Sequence, residues 1–162
     1  MKCVLVLCLF FAISKLPLHS QESWFIGLGA ESNAHTREAA AMGGGLSFGL
    51  DINRNFALGV KSAFSHNFDT VSAFEPLAFF RYYPPLGISG PFIQAEAGAV
   101  VYWEYGIAYS AFSGGLALGW RFILGRHIYI EPLFRGGYPF AWGAGLTAGI
   151  LTRIKRPEEN HE

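Results

Sequence analysis

The chain has 162 residues, which is enough for one domain and too few for two. Hydrophobic residues make up 51% of it and charged residues only 15%, so the composition favours a fold surrounded by something less polar than water. The 12 basic residues balance the 12 acidic ones, which excludes a net charge able to attract nucleic acid, and we expect no nucleic-acid partner.

The N-terminal residues have the pattern of a secretory signal peptide. Lys2 supplies a positive charge and is followed by an apolar run of about ten residues, from Cys3 to Ile13. This run is too short to cross a bilayer as a helix. We therefore predict a cleavable signal peptide over residues 1–20. Both cysteines lie inside it, and neither follows the small-residue box of a lipoprotein, so disulfides and thiolate metal sites are excluded from the mature chain.

Beyond residue 20, apolar residues alternate with small or polar ones in eight segments of about ten residues. In the third segment Phe56, Leu58 and Val60 share one face, and alanine, glycine and Lys61 share the other. Eight segments predict an all-β fold, an eight-stranded antiparallel up-and-down transmembrane barrel over residues 21–154, followed by a disordered tail at 155–162. In chain order the segments cover 24–31, 42–51, 56–65, 72–83, 91–103, 111–122, 127–136 and 142–154.

Two uncharged stretches, 105–120 and 136–152, approach the length of a membrane-spanning helix. Both contain several glycines, each of which disfavours a helix by up to about 1 kcal/mol relative to alanine. Both also keep the two-residue period, so a helical membrane protein is the weaker interpretation.

The charged residues of the segments all fall on the glycine-rich face. In water such a face would point outward, as in a soluble lipocalin-type barrel, whereas in lipid it must point inward. Because the opposite face is apolar, we predict a lumen filled by a network of ion pairs. Its members are Glu31, Asp51, Lys61, Glu75, Arg81, Glu96, Arg121, Glu131, Arg135 and Arg153.

Aromatic residues cluster near the segment ends, where a membrane barrel meets the lipid headgroups. Tryptophan and tyrosine favour this level because the ring contacts apolar atoms while the polar tip stays hydrated. We predict two aromatic girdles drawn from Trp24, Tyr82, Tyr83, Tyr102, Trp103, Trp120, Tyr138 and Trp142, with Phe56 and Phe122 beside them.

The sequence contains no convincing catalytic, cofactor or metal motif. Gly143, Gly145 and Ala148 match the spacing of a dinucleotide fingerprint, but they lie within an alternating strand and not at the start of a helix. Adjacent Ser65 and His66 would point to opposite faces of a strand, so they would not form a nucleophile and base. We therefore expect no cofactor, no metal site and no enzymatic activity.

Two stretches carry a family resemblance: Phe79-Phe80-Arg81-Tyr82-Tyr83 closing one strand, and Gly114-Gly115-Leu116-Ala117-Leu118-Gly119-Trp120-Arg121-Phe122. Together with the eight segments they resemble the small outer-membrane barrels of the OmpA, OmpX and OmpW type. The resemblance implies a bacterial outer membrane, surrounding lipid, insertion by the outer-membrane assembly machinery, and both termini in the periplasm. It further implies periplasmic turns at 52–55, 84–90 and 123–126 and extracellular loops at 32–41, 67–71, 104–110 and 137–141. In contrast to the family pattern, Ile154 precedes a polar tail instead of a terminal aromatic residue.

Three functions are compatible with this pattern. The first is a structural or anchoring barrel whose lumen is closed by ion pairs. The second is a narrow channel for small or apolar solutes, and the third is surface recognition of a host molecule or another ligand, which the sequence does not identify.

Overall fold

The computed structural model describes residues 23–34, 40–67, 71–84 and 87–153. They form eight antiparallel strands that pair in chain order and close into a barrel, as predicted. The predicted signal peptide at 1–20 and the tail at 155–162 lie outside the described residues. The strands are β1 Ser23–Ala34, β2 Ala41–Asp51, β3 Phe56–Asn67, β4 Val71–Tyr82, β5 Gly90–Glu104, β6 Ile107–Leu124, β7 Ile128–Tyr138 and β8 Trp142–Arg153.

The strands are staggered, and this stagger gives the barrel its tilt. A row of paired residues that leaves β1 at Ser23 returns to β1 at Asn33, ten residues further along. The row passes through Asp51, Ala57, Arg81, Gln94, Ala117, Arg135 and Gly143. We call the rim where β1 begins and β8 ends the terminal end, and the opposite rim the loop end.

The two faces of the barrel wall differ as the alternation predicts. Leu28, Val60 and Leu116 are 67%, 57% and 61% exposed on the outside, while their sequence neighbours point inward. Large apolar side chains are exposed on every strand, and a continuous belt of this kind is typical of a surface that faces lipid. The helical alternative is wrong, because β6 and β8 occupy the two stretches that suggested it. Among the described residues, no helix is both long and apolar enough to cross a membrane.

The loop predicted around 104–110 lies at the expected place but is much shorter than predicted. β5 continues to Glu104 and β6 starts at Ile107, which leaves only Tyr105 and Gly106 between them. Both residues have positive φ, 48° and 81°. Positive φ at both central positions defines a type I′ turn, whose twist matches that of the paired strands. The strands therefore extend through residues that the sequence interpretation assigned to a loop.

Candidate functional site: the packed lumen

Near the loop end, five charged side chains form what we call the loop-end cluster: Glu31, Lys61, Glu75, Glu96 and Arg135. All are buried by the barrel wall. The Arg135 guanidinium donates two hydrogen bonds to Glu75, at 2.8 and 2.9 Å. It also lies 3.5 Å from Glu96 and 3.6 Å from Glu31, and Lys61 pairs with Glu31. One arginine thus holds three carboxylates that come from three different strands.

Near the terminal end, Asp51, Arg81, Arg121 and Glu131 form the terminal-end cluster. Glu131 is 2% exposed and accepts hydrogen bonds from Arg81 Nη1 at 2.7 Å and Arg81 Nη2 at 3.2 Å. It also accepts one from Arg121 Nε. Arg121 Nη1 lies 3.6 Å from Asp51 Oδ1. The cluster contains two acids and two bases, so it places no net formal charge in the interior.

Gln94 connects the two clusters. Its Oε1 accepts a hydrogen bond from Arg81 Nε at 2.8 Å, and its Nε2 donates one to Glu96 Oε1 at 2.6 Å. The cavity left between the clusters has a volume of about 20 Å³, which holds roughly one water molecule. Its lining includes Glu31, Lys61, Arg81 and Glu131. The described side chains therefore fill the barrel interior almost completely at this level.

Aromatic rings surround the terminal-end cluster, and the sequence interpretation did not assign them this role. The Arg81 guanidinium carbon lies 3.9 Å from the centre of the Phe92 ring. That of Arg121 lies 4.2 Å from Phe25 and 4.8 Å from Tyr129. Arg121 Nη1 and Nη2 have no hydrogen-bond partner among the described residues, and the ring faces add to the attraction of Glu131 and Asp51 for this guanidinium. These rings occupy the same alternating positions as the lumen charges of their strands. The two-residue period of the sequence therefore predicts that they face inward.

Each of these rings packs over a glycine on the paired strand. Phe25 pairs with Gly49, Phe79 with Gly59, Phe92 with Gly119, and Tyr129 with Gly149. A Cβ atom at any of these four glycines would overlap the ring opposite. These four glycines thus make room for aromatic rings, and the rings in turn cover strand positions that have no side chain.

Tyr83 and Tyr102 do not belong to the predicted girdles. Tyr83 is completely buried, donates to Asp51 Oδ1 at 3.3 Å and accepts from Arg81 Nη1 at 3.3 Å. It lies one residue beyond β4, and burial raises the pKa of its phenol to about 12, so the hydroxyl stays protonated and can donate. Tyr102 turns toward the lumen mouth, where it packs on a buried group that contains Val100 and Phe140. Both predictions fail because, in the alternation of side chains along β4 and β5, these two positions point inward.

The other six predicted girdle residues lie on the outer face near strand ends. Trp24, Tyr82 and Trp120 are at the terminal end, where Tyr82 packs on Phe56 and Trp120 stacks on Phe122. Trp103, Tyr138 and Trp142 are at the loop end.

Of the ten predicted lumen charges, nine are buried in the two clusters. The tenth, Arg153, ends β8, and its side chain lies outside the described part of the structure.

Buried hydroxyl groups complete both clusters, and the sequence interpretation missed them. Ser113 donates to Glu75 Oε1, and Ser23 donates to Asp51 Oδ2 at 2.6 Å. Above the loop-end cluster, Phe140 is 8% exposed and its ring centre lies 6.0 Å from the Arg135 guanidinium carbon. The segment between β7 and β8 therefore folds inward over the lumen.

The described residues offer little else for chemistry. Ser65 is buried and His66 is exposed, so they point to opposite faces as predicted. His66 Nδ1 instead lies 3.1 Å from Ser72 Oγ across the β3–β4 pair, on the outer face. No group of three or more histidine, cysteine, aspartate or glutamate side chains able to hold a metal ion occurs in the described ranges.

Comparison with solved structures identifies the fold. The N-terminal β-barrel domain of Pseudomonas aeruginosa OprF matches with a TM-score of 0.54 at 15% identity, covering 82% of this chain and 98% of that one. Neisserial surface protein A matches with a TM-score of 0.55 at 12% identity, covering 82% and 97%. The outer membrane protein OprG from Pseudomonas aeruginosa matches with a TM-score of 0.51 at 9% identity, covering 85% and 97%.

This chain has the fold of the small eight-stranded outer-membrane barrels. Neither a scan against protein-family models nor a search of curated proteins gives a match.

Proposed function

We propose that the chain is a structural or anchoring protein of the bacterial outer membrane, with a lumen that conducts no solute. The observation that carries this proposal is the filling of the lumen by two linked charge clusters. An ion moving along the axis would have to separate Arg135 from Glu75 and then Glu131 from Arg81. Each separation leaves buried charges without partners, which is strongly unfavourable.

The same filling argues against the alternative of an axial channel for small or apolar solutes. Apolar solutes would meet buried carboxylates and guanidinium groups over the middle of the barrel. We propose no enzymatic activity, because the hydrogen-bonded His66 and Ser72 lie on the outer face of the wall, away from the carboxylates buried in the lumen.

Planar-bilayer recording tests whether the lumen conducts. We expect the purified barrel to give no steady conductance, while a general porin inserted in the same membrane gives one. A steady current would overturn the proposal if its size changes in Arg135→Gln, since that variant alters only the lumen. A current that is unchanged in Arg135→Gln would place the leak outside the clusters and leave the proposal standing.

The orientation is a second part of the proposal: termini in the periplasm, loop end at the cell surface, lipid around the belt, and insertion by the outer-membrane assembly machinery. Single cysteines at Ala108 and Arg126, both exposed and at opposite ends, test it. In intact cells we expect a membrane-impermeant maleimide to label Ala108→Cys and to label Arg126→Cys only after lysis. Labelling of Arg126→Cys but not Ala108→Cys in intact cells would show that the terminal end faces the cell surface.

A further inference from the structure

The outer face of the barrel carries a polar pair of side chains near the loop end. His66, the next-to-last residue of β3, is exposed, and its Nδ1 atom lies 3.1 Å from the Oγ atom of Ser72 on β4. The two residues are direct partners in the β3–β4 register, and Ser72 is in turn the partner of Trp103 on β5. The three side chains therefore form a row that crosses three strands on the outside of the wall.

The position of this row relative to the apolar belt identifies its surroundings. Two residues closer to the middle of the wall, the same three strands carry Phe64, Phe74 and Val101, which are again direct partners. Phe64 and Phe74 are 52% and 38% exposed and belong to the apolar belt. The polar row therefore begins where the apolar surface ends, which is the level of the lipid headgroups in a membrane barrel.

The His66–Ser72 pair keeps a hydrogen-bond donor for a ligand in either tautomer of the imidazole. The neutral ring and the hydroxyl carry two polar hydrogens between them, and the bond that joins the side chains uses one. If Ser72 donates, the proton on Nε2 is left, and if His66 donates through Nδ1, the hydroxyl proton is left. Protonation of the imidazole adds a second donor and a positive charge. The indole N–H of Trp103, whose side chain is 39% exposed, is a further donor in the same row.

The acidic residues of these strands do not share the outer face with the polar row. β3 has none, and Glu75 on β4 and Glu96 on β5 are buried in the lumen. Glu104 directly follows Trp103, so its side chain has the opposite facing. A negatively charged ligand with several acceptor oxygens thus meets donors in this row and no repelling carboxylate on the described strands. A phosphate group has this chemistry.

We propose that His66, Ser72 and Trp103 bind the phosphate of a membrane lipid in the leaflet at the loop end, while Phe64 and Phe74 pack against its acyl chains. The two tiers of the site match the two halves of such a lipid: donors lie at the headgroup level and exposed rings lie at the acyl level. A free phosphate ion would use the upper tier alone. The site rests on the membrane placement proposed above but not on a closed lumen, so a conducting lumen would leave it intact.

Native mass spectrometry of the full chain, refolded in detergent, measures this binding by counting bound lipids during a titration. Phosphatidic acid is the probe, and diacylglycerol with the same acyl chains is the probe without phosphate. We expect the unchanged chain to bind one phosphatidic acid at least about tenfold more tightly than diacylglycerol. A preference of this size requires donors that contact the phosphate, because the two probes share their acyl chains.

Three variants separate the two tiers. His66→Phe keeps a ring but removes its nitrogens, and we expect it to raise the Kd for phosphatidic acid at least about fivefold while leaving the Kd for diacylglycerol unchanged. Phe64→Ala is expected to raise both Kd values by a similar factor. Met42→Ala is the matched control, because Met42 is the exposed β2 partner of His66 and offers no donor. We expect this control to change either Kd less than about twofold.

Several outcomes would overturn the proposal. Equal affinities for phosphatidic acid and diacylglycerol would show that the donors do not contact a phosphate. A Kd for phosphatidic acid that rises equally in His66→Phe and Met42→Ala would have the same meaning. Release of the bound lipid by an excess of inorganic phosphate would assign the row to a soluble ion and overturn the lipid assignment.

Two controls keep the result interpretable. Heat-dependent gel mobility shows whether His66→Phe is folded, and if it is not, Ser72→Ala is measured against Met42→Ala with the same criteria. Flotation with lipid vesicles separates this proposal from the proposed membrane placement. A chain that does not float with vesicles contradicts the placement, whereas a chain that floats but does not select phosphatidic acid contradicts the lipid site alone.

Discussion

Replacing Glu131 with alanine perturbs the terminal-end cluster at its centre. The carboxylate is 2% exposed and joins β7 to two other strands, because it accepts from Arg81 on β4 and from Arg121 on β6. Without it, two buried guanidinium groups lose their main acceptor. The Asp51 carboxylate, 3.6 Å from Arg121 Nη1, compensates only one of them.

Removing one partner of a buried ion pair destabilises a protein by about 3–5 kcal/mol, since the remaining charge stays buried. We expect Glu131→Ala to fall within this range of about 3–5 kcal/mol, because Arg121 keeps Asp51 as an ionic partner whereas Arg81 keeps only the neutral acceptors Gln94 and Tyr83. At about 4 kcal/mol the ratio of folded to unfolded protein falls roughly a thousandfold. Glu131→Gln keeps an acceptor oxygen, so its loss is expected to be smaller.

Urea unfolding in lipid vesicles measures this loss through the fluorescence of the four tryptophans, which change environment when the barrel leaves the bilayer. Arg54→Ala is the control, because Arg54 is exposed in the turn after β2 and its loss is expected to stay within about 0.5 kcal/mol. If Glu131→Ala folds and its free energy of unfolding matches that of Arg54→Ala, the terminal-end cluster is not a buried network and our account of the lumen is wrong.

Three further predictions use the same unfolding measurement. Gly119→Ala is expected to destabilise the barrel because the added Cβ overlaps the Phe92 ring. Gly136→Ala is the control, because a Cβ there makes only ordinary contacts. Equal losses of unfolding free energy in the two variants would contradict the packing of rings over glycines. Leu116→Arg, on the outer face, is expected to cost about 2–4 kcal/mol if this surface contacts lipid, and no cost would exclude that contact. Tyr83→Phe is expected to cost about 0.5–1.5 kcal/mol through lost hydrogen bonds, and an unchanged midpoint would show that its hydroxyl is not needed.

Alternation in the sequence was sufficient to predict the inner face. A period of two leaves only two possible facings for a strand, and charge decides between them when lipid is on one side. For this reason the sequence alone predicts that Arg81, Glu131 and Arg135 face the lumen, without identifying their partners. The same rule, applied consistently, places Tyr83 and Tyr102 inside as well. Residue type favours the girdles for these two tyrosines, but the alternation of side chains along the strand decides which way they face.

The pairing within the lumen was not predictable. Arg81 and Glu131 are 50 residues apart in the chain, and they meet because the stagger of the barrel brings β4 and β7 to a common level. Gln94, Ser113 and Phe140 join the clusters for the same reason, although each is unremarkable in its local sequence context.

The sequence by itself determined that each of the eight strands has an apolar face and a face that carries the charges, because side-chain direction along a strand is a local property. Only the tertiary structure decided which acid meets which base and which glycine receives which ring. It also decided that β6 extends beyond β7 at the loop end, since strand ends and registers depend on how the whole sheet closes.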